Sequence, residues 1–175
     1  MRTIFSILLF FLVSVSASLH VLAEPAVQKK SNKNSAERQH EYQEAVNAMK
    51  NQVFLLSLYS FVDKKGNLIE LEPEGNFILV NKDKFMMQKS IALNSNTFAG
   101  SDNFKGDFLN FQLKESRKGN IQFSFDLSTD KKGLTFKGKM NNDDNTIEGR
   151  IKGQTEESEI VVTGNIQPVQ ARFVY

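Results

Sequence analysis

The chain has no cysteine and no tryptophan, and only two histidines and three prolines in 175 residues. Without cysteine there is no disulfide, no thiolate metal site and no cysteine nucleophile. The acylated cysteine that anchors a lipoprotein is missing too, so no stable membrane anchor is expected once a leader is cleaved. Histidine, the usual base near neutral pH, is represented by His20 and His40 alone. A Ser–His–Asp triad or a multi-His zinc site would have to rest on His40, which falls at the start of a helical pattern and reads as solvated. Gly-rich phosphate loops of the G-x-x-x-x-G-K-S/T or G-x-G-x-x-G type are absent. With a formal net charge of +2, and no basic concentration beyond short Lys pairs in turns, nucleic acid is set aside as a partner. No cofactor and no metal are expected, and the chain reads as a non-enzyme.

What is present begins with the first two dozen residues. Arg2 precedes the apolar run Ile4 to Val13, and small residues follow at Val15-Ser16-Ala17 and Val21-Leu22-Ala23. This is the order of a secretory signal peptide, with an apolar run too short to span a bilayer. Cleavage is expected after Ala23, with Ala17 as the other exit. Residues 1–23 are therefore read as a signal peptide, 24–35 as a polar, disordered linker, and 36–175 as a single β-rich domain. The expected location is periplasmic or secreted.

After the linker, Asn34 or Ser35 is placed to cap a helix over Glu37 to Asn51, with Tyr42, Ala45, Val46 and Met49 on one stripe. Strand signals follow. Phe54 to Val62 is apolar on both faces, and Leu68 to Leu71, Phe77 to Val80 and Phe85 to Leu93 are separated by Gly, Asn and Lys clusters. Further on, Ile121, Phe123, Phe125 and Leu127 alternate with polar residues. Leu134, Phe136 and Met140, then Ile147 and Ile151, then Ile160, Val162 and Ile166 do the same. Period two with one polar face marks antiparallel strands over a core, and turns every 8–12 residues suit a meander. The fold expected is all-β with one N-terminal helix, an antiparallel meander forming a lipocalin-like barrel or a strongly curved sandwich.

Four stretches carry a family resemblance: Ala45-Val46 with Phe54-Leu55-Leu56, Gly75 to Val80, Asn96 to Gly106, and Lys118-Gly119-Asn120-Ile121. In these the chain, from Tyr42 to its end, resembles the envelope family labelled domain of unknown function 4251. In the third stretch Ala99-Gly100 and Ser101-Asp102 stand where that family is richer in glycine. The resemblance implies an exported, soluble, β-rich domain and assigns no catalytic residue.

Few residues offer chemistry. The adjacent carboxylates Asp143-Asp144 and Glu156-Glu157 sit in turn compositions and diverge into water. Asn141 to Asn145 lacks the alternating spacing of a calcium loop. Two features point to binding. Gly138, Gly149 and Gly164 occupy the apolar phase of consecutive strands, either as a cavity wall, or as a line of sheet curvature, or as a slot filled by neighbouring Phe side chains or the N-terminal helix. The break from Asn94 to Lys105 carries Phe98 and Phe104, either as a lid or as closure over the core. The function expected is a non-catalytic domain that binds a small hydrophobic ligand or an envelope protein partner, in or at the mouth of the sheet. A solid-core structural or protein-interaction module is the alternative. An outer-membrane β-barrel, suggested by the alternating terminal segment Val169 to Tyr175, is more remote.

Overall fold

A computed structural model describes residues 34–63, 65–89, 103–153 and 159–169. The signal and linker readings, Phe98, most of the 94–105 break and residues 170–175 lie outside them.

The helix α1 (Ser35–Lys50) starts where its sequence says it should. The Asn34 side chain accepts the Glu37 N–H at 2.8 Å, satisfying one of the donors a helix N-terminus leaves open. Its buried residues are Tyr42, Ala45, Val46, Ala48 and Met49, and it packs on β1 and β9.

Nine strands follow: β1 (Val53–Val62), β2 (Leu68–Glu70), β3 (Phe77–Asn81), β4 (Lys84–Gln88), β5 (Asn103–Glu115), β6 (Ile121–Ser128), β7 (Gly133–Met140), β8 (Thr146–Gly153) and β9 (Glu159–Pro168). All pairings are antiparallel, in the order β2-β1-β3-β4-β5-β6-β7-β8-β9. β9 returns to pair with β1 from Phe54 to Val62, so β1 and β3 to β9 close into an eight-stranded barrel. β2 is a short extra strand on the last three residues of β1. The sheet is thus the barrel form of the two architectures expected.

Two bulges give the barrel its bends. On β1, Leu58 faces Gly164 and Ser60 faces Thr163, which leaves Tyr59 as the extra residue. The inward phase accordingly shifts from Phe54, Leu56 and Leu58 to Phe61, which explains a strand that reads as apolar on both faces. On β5, Asn110 and Phe111 together oppose Phe125, and Asn110 adopts a φ of 53°. The strand begins at Asn103, so Phe104 and Lys105 are strand residues and not part of the 94–105 break in which the sequence reading placed them.

One end of the barrel gathers the β3–β4, β5–β6 and β7–β8 turns with the start of β1. There α1 is tied down by the Tyr42 hydroxyl, which donates to the Gly119 carbonyl in the β5–β6 turn. The Lys82 ammonium also donates to the Asn51 carbonyl at 2.9 Å. Inside, Phe54, Phe108, Phe125 and Phe136 form a chain of ring contacts across the barrel. Phe125 and Phe136 are stacked with centroids 4.9 Å apart and planes within 5°. Burying each such side chain contributes on the order of 1.5–3 kcal/mol.

Candidate functional site, inside and outside the barrel

The three inward glycines do not border a void. A Cβ on Gly138 would lie 2.5 Å from Cζ of Phe123, and one on Gly149 would lie 2.5 Å from Cζ of Phe136. Gly164 faces backbone: a Cβ there would meet the Ser57 carbonyl oxygen at 2.1 Å, beside the β1 bulge. Phe rings from neighbouring positions fill the space beside Gly138 and Gly149. Phe104 is half-buried opposite Met87 and packs against the core. Two recesses reach the interior at the end away from α1. One lies beside Phe61, Met87 and Ile160, the other beside Phe85, Phe104 and Leu134. Each offers about 20 Å³, room for a water and not for a lipid tail.

The larger concavity is on the outer wall. Gly138 and Gly149 are directly paired across β7 and β8. With no Cβ, their backbone rests on the Phe123 and Phe136 rings, and the sheet dips there. Outside this dip lies a groove of about 440 Å³ crossing β5 to β9. The strand register lines it with two parallel rows of outward side chains. The first runs Gln112, Ser124, Lys137, Arg150, Val161. The second runs Lys114, Gln122, Lys139, Glu148.

The groove is cationic. Lys114, Lys137, Lys139 and Arg150 line it with one carboxylate, Glu148. Lys139 pairs with Glu148 at 2.8 Å, and Arg150 Nη1 reaches Glu159 Oε2 at 2.8 Å on the rim. Lys137 stands directly opposite Arg150, and among the described residues neither Lys137 nor Lys114 has an ion-pair partner. Next to the groove the β5 bulge is pinned by Asp126. Its Oδ2 accepts the Asn110 amide at 2.7 Å, and its Oδ1 accepts the Thr135 hydroxyl at 2.7 Å.

This surface went unread in the sequence because a lateral cluster is invisible until the register is known. Lys137 and Lys139 on one strand, and Arg150 on the next, share an outward phase. Pairing the β7–β8 hairpin from its Asn-rich turn would have set them side by side.

The other candidate chemistry disperses. His40 lies on the exposed face of α1, with Nδ1 3.4 Å from Glu44 Oε2. Asp144 caps its turn by accepting the Thr146 N–H at 2.8 Å. Among the described residues no three His, Asp or Glu side chains come together as a metal site. No helix of the described residues is long and apolar enough to cross a membrane. A membrane β-barrel needs an apolar outer band around a polar lumen. Here the described strands put Phe and Ile inside, and the outer wall over β5 to β8 is charged.

The sequence profile of the family described as domain of unknown function (DUF4251) matches residues 36–166. The chain belongs to the DUF4251 family. A crystal structure of a DUF4251 family protein from Bacteroides eggerthii DSM 20697 superposes with a TM-score of 0.65 at 20% identity. It covers 77% of this chain and 92% of that one, and shows the shared fold. No curated protein matches the sequence.

Proposed function

We infer that this DUF4251 chain is a non-catalytic, exported envelope module that works through its outer wall and not as a carrier with cargo inside. The observation that carries this reading is the filled interior. Phe123 and Phe136 occupy the space beside Gly138 and Gly149, and the recesses at the end away from α1 each offer about 20 Å³. Export is supported by the basic, apolar, small-residue order of residues 1–23. A polar outer wall around an apolar core suits a protein surrounded by water.

Native mass spectrometry on the exported chain, purified without detergent, tests both parts. A bare mass beginning at Glu24 is the expected result. A reproducible added mass, lost on denaturation, would return the carrier reading to the front. A chain recovered only in detergent would do the same for the membrane barrel.

A further inference from the structure

We propose that the groove over Gly138 and Gly149 is a docking site for an acidic peptide segment of a partner protein, held by Lys137, Arg150 and Lys114. This rests on the reading that the module acts through its outer wall.

The first argument is electrostatic. Lys137 and Arg150 are directly opposed on adjacent strands, an arrangement in which like charges destabilise a sheet. The fold places this pair in the lining of the outer-wall groove, with Lys114 and Lys139 in the next row. Four cations line the groove, and against Glu148 in the lining and Glu159 on its rim they leave an excess of two positive charges (4 − 2). The groove already shows what fits such cations: Glu148 on Lys139 and Glu159 on Arg150, both at 2.8 Å. Among the described residues Lys137 and Lys114 have no carboxylate partner, and an incoming Asp or Glu supplies one.

The second argument selects a peptide over other polyanions. Gln112 and Gln122 each present an acceptor as well as donors, and Glu148 is an acceptor only. A phosphate chain offers these oxygens no proton and repels Glu148, whereas peptide N–H groups can donate to them. Val161, an exposed apolar residue at the end of the first row, gives a foothold to an apolar side chain. Among the described residues no Tyr lines the groove, and the aromatic that does, Phe123, is buried, so these residues offer no ring for a sugar or base to stack on.

The test is a titration of the isotope-labelled full chain, exported and purified, followed by backbone amide shifts at low salt. The probes are a peptide alternating Glu and Val, its Gln–Val counterpart, and inorganic polyphosphate. The expected result is shifts clustered at Ser124, Lys137 and Arg150 with the Glu–Val peptide alone. Lys137→Glu should weaken that binding by on the order of tenfold, since an exposed attraction becomes a repulsion. Lys65→Glu, exposed in the β1–β2 turn and outside the groove, should leave it intact. An unchanged fold of Lys137→Glu is read from its amide spectrum, and Lys137→Gln serves as a milder second variant. Shifts with polyphosphate and none with the peptide would overturn the peptide assignment. No shift with any probe would overturn the site. Either failure with a bare native mass leaves the outer-wall reading standing, whereas an added mass would sink that reading whatever the groove binds.

Discussion

The ring of Phe136 lies where a side chain on Gly149 would begin, its Cζ 2.5 Å from the place a Cβ would take. The same ring is stacked against Phe125 at 4.9 Å and Phe123 at 5.6 Å, and those two rings are themselves 6.3 Å apart, so the three close a triangle. Glycine and phenylalanine are therefore two halves of one packing solution. The strand gives up its side chain, and the ring from the neighbouring strand takes the volume.

The first prediction follows from what each glycine faces. Gly149→Ala should destabilise the fold by about 1–3 kcal/mol, because the stacked ring has little room to retreat. Gly164→Ala should cost more, since its Cβ would meet a backbone oxygen of Ser57 that cannot rotate away. Pairing Gly149→Ala with Phe136→Leu should cost less than the sum of the two, as the smaller side chain vacates the slot. Denaturation midpoints of the four variants check this order. An additive double variant would contradict the paired packing.

A second prediction concerns the tie between helix and barrel. The Tyr42 hydroxyl donates to the carbonyl of Gly119, itself a turn glycine with φ of 80°. Tyr42→Phe keeps the ring in the core and removes the bond. It should lower stability by about 0.5–1.5 kcal/mol, the usual net worth of a hydrogen bond. Hydrogen exchange should be faster in α1 than at the centre of β6 and β7, since the lost bond fastens the helix and not the sheet.

Much of this fold is legible in the residues. β6 to β9 keep one apolar phase from end to end, and α1 has its stripe and its cap. β5 was not legible, for a physical reason. Phe104, Gly106 and Phe108 share one phase, and after the bulge Phe111 and Leu113 share the other. An alternation that switches parity at Asn110 has no single period to find. The candidate site divides the same way. The inward glycines are visible as gaps in the apolar phase. What fills them depends on which strand lies alongside, and so does the meeting of Lys137 with Arg150.

The third prediction is a pH dependence. Burial, with a smaller contribution from Glu41, pushes the Tyr59 phenol up to about 12 from 10.0. Tyr42 is raised by the same first cause, with Glu115 adding to it. A raised folded-state pKa means that the unfolded chain loses its proton first as pH climbs. The stability tied to neutral Tyr59 is thus complete below pH 10 and is lost as pH rises through about 12. The phenolate absorbance of the parent chain minus that of Tyr59→Phe separates this titration from those of the other two tyrosines. Tyr59→Phe should lose less stability over that window than the parent chain, and an equal loss would remove Tyr59 as its source.

The fourth prediction separates a binding surface from a merely solvated one. Lys137 and Arg150 face one another across a strand pair, with Cβ atoms at a separation of roughly 5 Å in such pairs. Lys137→Glu turns this repulsion into an attraction and should raise stability by about 0.2–1 kcal/mol. Added salt should stabilise the parent chain relative to the variant, because screening relieves only the parent's repulsion. A fall in stability would mean instead that the aliphatic stem of Lys137 covers apolar surface and that its charge is incidental. A variant that is more stable and binds the acidic probe less well would show that the parent sequence holds two cations together at a cost in stability. The fold gains nothing from that arrangement, and an anionic partner is what gives it a use.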